Sequence, residues 1–288
     1  MKVYFRELTI DDIPAIKDIS KDIWEGNDYI PQVIHEWLQE KNCMNYGTFI
    51  DEQKTEMIGF GRVKLYNDDI AWLEGGRIKV SYQKQGIGRK QLKYAIDYSS
   101  KVGAKVAQYD TASTNLGSIK LANYFGFKKK KCMDLVRAKS SDIKIFNRLS
   151  TQIKDITIED AKELLNKFDV APGDEVCIGW SFVPKSHITK NHGSWIYNGD
   201  AILLKIEYDN FSNYGLPLEQ EFWLIVYGKP KAARELIQYV IQTKLESQEP
   251  KIYEVFCKLE DVDVLKDMGF KYPEGERFGV ILFEKNLN

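Results

Sequence analysis

A carboxylate and a glycine-bearing loop stand close together in this chain, and between them they outline a chemistry. The segment Gln83-Lys-Gln-Gly-Ile-Gly-Arg89 follows an apolar, strand-like run (Ile70 to Val80) and opens a helix-like one (Gly88 to Ser99). Gly86 and Gly88 let the backbone approach a ligand without side-chain bulk. The unpaired amides at a helix start, at the positive end of its dipole, favour a phosphate. A plain tight turn is the competing reading. Glu74 lies in the preceding run, four residues before Ile78, which by strand alternation puts both on one side of the sheet. A carboxylate near the end of a buried strand is raised by desolvation and can serve as a general base. Its competing reading is an acid paired with Arg77 or a lysine.

The surrounding elements must hold these groups. Lys2 to Leu8 reads as a first strand, and Thr9-Ile-Asp-Asp as a helix start with Thr9 as cap. Ile13, Ile16, Ile19 and Ile23 form one helical stripe. Ile30, Val33, Ile34, Trp37 and Leu38 form a second, with Pro31 in its first turn. Strands follow at Tyr46 to Ile50, Met57 to Leu65 and Ile70 to Val80. After the glycine loop come a helix, a strand (Ala104 to Tyr109), a helix opening near Thr114 and a strand from Lys128 to Arg137.

The Q-x-x-G-x-G spacing at Gln83 to Gly88 and this order of elements resemble the GCN5-related N-acetyltransferases (GNAT), which bind acetyl-coenzyme A. A second stretch, Asn115-Leu-Gly-Ser-Ile-Lys-Leu with Gly126-Phe127 after it, resembles that family's Asn-x-x-(Ala/Ser)-x-x-Leu run. A capped helix closed by a glycine accounts for the same residues. The resemblance implies an α/β fold with a mixed sheet, the acyl-CoA N-acyltransferase fold. It implies acetyl-CoA as co-substrate, the amides of Gln85, Gly86, Ile87, Gly88 and Arg89 on the pyrophosphate, and Gln83 in the same loop. Asn115 and Ser118 would lie beside the cofactor arm, Ile78 and Val80 would meet it through backbone groups, and the Val80 amide would stabilise the oxyanion. Transfer would be direct from thioester to amine, with Glu74 as base or first link to one. Many relatives place a tyrosine after the leucine at Leu121; this chain has Ala122, and Tyr124 is about 200° further round a helix.

The acceptor site implied by the resemblance lies between the first two helices and the strands they cover. Ile23-Trp-Glu-Gly-Asn-Asp-Tyr-Ile and Leu73-Glu-Gly-Gly-Arg-Ile are similar to the branch containing histidine N-acetyltransferase, whose acceptors are free amino acids. On that reading Glu25, Asp28 and Tyr29 receive an ammonium and Arg77 a carboxylate. A Gly26-Asn27 turn and an Asp28 cap are the plain alternative.

From about Ser140 the chain begins again. Thr157-Ile-Glu-Asp echoes Thr9-Ile-Asp-Asp, Tyr227 to Ile241 repeats Tyr82 to Ile96 in part, and Met268-Gly-Phe repeats Phe125-Gly-Phe. In the repeat Pro230 stands for Gln85, Lys231 for Gly86, Ala233 for Gly88 and Lys258 for Asn115, changes that remove a donor and add bulk. The expectation is a tandem: residues 1–139 catalytic, and 140–288 a degenerate copy without a cofactor loop. Gly179 to Trp195 has no counterpart in the first copy and reads as a long surface loop, with entry into the first copy's site as the alternative.

With 288 residues, 43% of them apolar, the chain is long enough for two cores. A net charge of −1 gives no pull toward nucleic acid or membrane. The Lys128 to Lys131 run reads as a solvated strand start. Neither signal peptide nor membrane span is expected. Cys43, Cys132, Cys177 and Cys257 show no metal spacing, and His35, His187 and His192 form no zinc site, so no metal is expected and a reduced, cytoplasmic setting is. The expected partner is a small amine. Protein or peptide acetylation, and a coenzyme A sensor without catalysis, are the alternatives.

Overall fold

A computed structural model describes residues 1–67, 69–146, 152–169, 173–206, 221–245, 252–273 and 275–287. The first half contains β1 (Tyr4–Glu7), α1 (Ile13–Ser20), α2 (Ile30–Gln39), β2 (Cys43–Phe49), β3 (Met57–Tyr66), β4 (Ile70–Ile78), α3 (Ile87–Lys101), β5 (Val106–Ala112), α4 (Leu116–Tyr124) and β6 (Lys128–Lys139). The second contains β7 (Lys154–Ile156), α5 (Ile158–Phe168), β8 (Glu175–Cys177), β9 (Phe182–Pro184), β10 (Ser194–Tyr197), β11 (Ala201–Ile206), β12 (Glu221–Gly228), α6 (Pro230–Leu245), β13 (Ile252–Cys257), α7 (Val262–Asp267) and β14 (Gly279–Asn286).

The expected helical stripes form because their apolar residues have a sheet to cover. Ile13, Ile16 and Ile19 of α1 and Ile30 and Ile34 of α2 are buried with Phe49, Met57 and Phe60. Each such side chain contributes about 1.5–3 kcal/mol of burial. Where α1 begins, the Thr9 amide donates to Asp12 Oδ2 at 2.8 Å, and Arg6 grips the same carboxylate with both Nη atoms at 2.8 Å. The acid at the helix start thus closes the turn from β1 into α1.

Twelve strands form one sheet in the order β1-β2-β3-β4-β5-β14-β6-β13-β12-β11-β10-β7. The order is pseudo-symmetric about the β14–β6 pair, so each half's last strand crosses to the other half. β14 pairs with β5 (Val280 opposite Ala112) and with β6 (Val280 opposite Met133). β6 in turn pairs with β13 (Val136 opposite Val255). One face carries α1, α2, α5 and β8–β9; the other carries α3, α4, α6 and α7.

The glycine loop has no equivalent in the second half. Eight residues separate β4 from α3, whereas Lys229 alone separates β12 from α6. Gly228 there has φ +138°, and a Cβ would come within 2.4 Å of the Asp200 carbonyl. That connection has no room for a loop.

Candidate active site

The loop after β4 is built to leave amides open. Residues Val80–Tyr82 form a 3-10 turn, Lys84 is left-handed (φ 61°), and Gly86 caps α3 at φ +79°. A Cβ on Gly86 would meet nothing within 4 Å, so glycine is required there by conformation and the space beside it is free. The first helical bond of α3 runs from the Lys90 amide to the Gly86 carbonyl at 3.4 Å, so the amides of residues 85–89 precede the ladder. No acid lies in this first turn. The side chains of Gln83 and Gln85 fold back onto the chain, donating to the Ile78 carbonyl (3.1 Å) and the Ser81 carbonyl (3.2 Å). Two amides thereby brace the loop instead of reaching outward. An acetyl-CoA pyrophosphate fits this free space and these open donors.

On α4, Asn115 Oδ1 accepts from the Ser118 amide at 3.1 Å, and the Ser118 carbonyl accepts from the Tyr109 hydroxyl at 2.9 Å. The capping reading of Asn115 therefore holds. Ala122 is fully buried, while Tyr124 is exposed with the Arg89 guanidinium 4.1 Å from its ring centroid. Ala122 has no proton to give, and the Tyr124 ring is engaged by Arg89.

Beside the loop the sheet opens. β4 and β5 pair only from Ile70–Val106 to Trp72–Gln108. Beyond that point the two strands share no register, which leaves backbone groups of Leu73 to Ile78 facing a gap. β4 ends at Ile78, shorter than expected. The Lys79 amide still donates to the Ile58 carbonyl at 2.8 Å, but Val80 lies outside the strand in the 3-10 turn. Val80 is therefore corrected from a strand residue to an exposed turn residue.

A bulge makes a second correction. Arg62 is opposite Glu74, while Phe60 is opposite Arg77, so β4 carries an extra residue at Gly75-Gly76. Gly75 has φ +66°, and a Cβ there would lie 2.6 Å from the Trp37 ring. The extra residue reverses the alternation. Glu74 shares its face with Arg77, not with Ile78, and that face is the one covered by α1 and α2.

On this face the charges pair differently from expectation. Arg77 binds Asp28 with two bonds, Nε to Oδ2 at 3.1 Å and Nη2 to Oδ1 at 2.9 Å, and Asp28 is buried. Asp28 and Arg77 thus satisfy each other, a pairing that the expectation of an acceptor's ammonium and carboxylate at these residues did not include. The Trp24 ring lies 4.3 Å over the Arg77 guanidinium from a turn in which Trp24 (φ 47°) and Glu25 (φ 58°) are left-handed. Glu25 is exposed, and Tyr29 packs edge-on to Trp37. Burial raises the Tyr29 phenol above its usual range, and Glu74, Asp110 and Asp28 act on it in the same direction. Glu74 itself meets Arg62 Nη1 at 3.3 Å, and Arg62 also bonds Glu40 and Cys43. Burial pushes the Glu74 carboxyl up, while Arg62 and Lys64 pull it back. Its ionic partner is on β3, and the Trp72 side chain of its own strand hydrogen-bonds the same carboxyl.

Two participants had no sequence signal. Arg62 sits among apolar residues of β3, and only its parity with Phe60 placed it on the helix-covered face. Asp110 on β5 lies two residues past the last β4–β5 pair, as Glu74 does on β4. Its partners come from the second half: Oδ2 accepts from the Phe182 amide at 2.9 Å, and the Ser181 hydroxyl hydrogen-bonds the same carboxylate. Burial pushes Asp110 up to about 7; Ser181 and Phe182 oppose the rise and the Glu74 charge adds to it.

The segment supplying those partners is not the expected surface loop. Val176, Cys177, Phe182, Val183 and Ile188 are buried in one core with Tyr66 and Trp72 of the first half. The Asn67 amide donates to Ser186 Oγ at 3.3 Å, and the His187 ring meets Tyr66 at 4.6 Å. Among the described residues no His, Cys, Asp or Glu group could hold a metal ion. No helix there is long and apolar enough to cross a membrane.

A strand pair that opens beside an unladdered helix start is what the resemblance to the GNAT acetyltransferases implied. Residues 13–127 match the family model described as the acetyltransferase (GNAT) family. Over its whole length the chain has the fold of tandem members. A tandem GNAT protein from the clavulanic acid biosynthesis pathway aligns over 100% of this chain and 99% of its own, with TM-score 0.62 and 11% identity. A GCN5-related N-acetyltransferase from Kribbella flavida aligns over 99% of this chain and 71% of its own, with TM-score 0.56 and 9% identity. A sequence search of curated proteins finds no match. The comparisons give no support to the histidine N-acetyltransferase branch.

Proposed function

We propose that the protein transfers the acetyl group of acetyl-CoA directly to a primary amine of a small molecule. The observation that carries this reading is the β4–β5 gap next to the open start of α3, with its acceptor side roofed by the 175–188 segment. A roofed cleft favours a compact acceptor over an extended peptide.

In this reading the amides of Gln85, Gly86, Ile87, Gly88 and Arg89 receive the pyrophosphate, with Gln83 bracing the loop and Asn115 and Ser118 beside the pantetheine. The oxyanion role moves from Val80 to the Ile78 amide. Because the Lys79 amide points to β3, alternation turns the Ile78 amide toward the gap. Glu74 receives the acceptor ammonium and begins the path by which its proton leaves; Tyr29 and Glu25 line the approach. A thiol of pKa about 8.5 leaves without an acid, which accommodates Ala122.

Incubation with acetyl-CoA and a pool of amino acids, amino sugars, polyamines and short peptides, read by released thiol and product mass, tests this. We expect one acetylated small amine, and loss of acetyl-CoA binding in Gly86→Glu. Acetylated peptides alone, or binding unchanged in Gly86→Glu, would refute the reading.

A further inference from the structure

We propose that Asp110 takes the proton from the acceptor ammonium, and that Ser181 and Phe182 of the C-terminal half are the positioning residues that hold it. The inference rests on the transferase reading above and adds a group which that reading does not use.

The geometry comes first. Trp72 and Gln108 are the last paired residues of β4 and β5, and Glu74 and Asp110 each follow by two, on the same face. Two carboxylates therefore flank the mouth of the gap, one from each separating strand. Their partners differ in kind. Glu74 has a cation, Arg62, at 3.3 Å. Asp110 has only neutral donors, the Phe182 amide and the Ser181 hydroxyl, and among the described residues no cationic side chain pairs with it. Burial raises the Glu74 carboxyl too, but a carboxylate beside cations such as Arg62 and Lys64 is pulled back toward its ordinary range. One that is half-buried, neutral-bonded and beside a like charge binds a proton well. The titratable groups around Asp110 are Glu74 on β4, Tyr29 at the start of α2 and Cys177 on β8, with Arg62 behind Glu74 and Arg77 near Tyr29. The midpoint of about 7 at Asp110 fits a base working near neutral pH.

The division of labour follows. Glu74 attracts the ammonium and Asp110 accepts one of its protons. The freed nitrogen lone pair attacks the thioester carbonyl, the C–S bond breaks, and the second nitrogen proton goes with the sulfur as thiol. Asp110 then returns its proton to water. The C-terminal half, which lacks a cofactor loop of its own, thereby serves the reaction by fixing the base.

The test uses the full chain. Carboxyl-carbon NMR of aspartate-labelled protein, with no substrate present, should show a signal titrating near neutral pH that disappears in Asp110→Asn. Ser181→Ala should move that midpoint up, by loss of a bond to the charged form, and Glu74→Gln should move it down. In turnover, Asp110→Asn should lower kcat by about 10² to 10⁴ and remove the acidic limb of the pH profile, with acetyl-CoA binding unchanged. Ser181→Ala should shift that limb by the same amount as the NMR midpoint. A midpoint in the ordinary carboxylate range near about 4, or Asp110→Asn turning over within about threefold of the parent, would overturn the proposal. Failure of the parent protein to acetylate any amine refutes the transferase reading instead, because the titration is read independently of it.

Discussion

At the scale of single residues, local roles were readable and distant partnerships were not. Gly86 announces itself, since a left-handed helix cap with free space beside it needs glycine. Asn115 does too, because a cap bonds within its own turn. Arg77 and Asp28 did not, because they are far apart in sequence and each looks like a ligand-binding charge when read alone. Together they form a buried pair, with side chains 11% and 1% exposed. Removing one partner of such a pair leaves the other uncompensated and costs about 3–5 kcal/mol. Asp28→Ala should therefore lower the urea midpoint sharply. An unchanged midpoint with a raised KM for the acceptor would instead mark Asp28 as a ligand contact.

At the scale of elements, hydrophobic period located nearly every strand and helix of the first half, because each buries one face. Parity within β4 was not legible. Gly75-Gly76 reads as flexible sequence, and only the Trp37 ring pressed against Gly75 shows why the strand must bulge there. The fate of Gly179 to Trp195 was hidden for a similar reason: its apolar residues are irregularly spaced, and the surface they cover belongs to the other half. A further element carries a stability signature. Asp261, at the start of α7, accepts from the Lys258 amide at 3.1 Å through Oδ2, while Oδ1 is buried without a partner. Burial raises its carboxyl to about 7. A folded-state value above the unfolded one means the fold favours the protonated acid, so stability falls as pH rises from about 4 to about 7 and then levels. Asp110 contributes with the same sign over the same window. Asp261→Asn keeps the acceptor for Lys258 and removes the charge. It should raise Tm most at pH 8, with a gain of up to about 4 kcal/mol, and by only about a third of that at pH 5. Melting curves at both pH values check this, and equal shifts at the two would exclude ionisation as the cause.

At the scale of the whole molecule, the repeat in the sequence reveals two related halves but not how they are joined. A strand has the same local pattern whichever neighbour it pairs with, so nothing in Lys128 to Lys139 or Gly279 to Asn286 announces an exchange. The sheet order shows it: β14 lies between β5 and β6, and β6 lies between β14 and β13. This has a physical consequence for cutting the chain. Residues 1–139 alone would leave β5 with an open edge and β6 without either neighbour, exposing Ile281- and Leu282-facing surface that the full chain buries. Expressed alone, residues 1–139 should aggregate or self-associate rather than give a folded monomer. Co-expression with 140–288 should recover a one-to-one complex that binds acetyl-CoA, because the exchanged strands return to their places. Size-exclusion chromatography and circular dichroism of the separate and combined pieces decide the matter. A stable, monomeric 1–139 piece that binds acetyl-CoA would mean that β6 can reach β5 by itself, and that the exchange is a convenience of linkage rather than a condition of the fold.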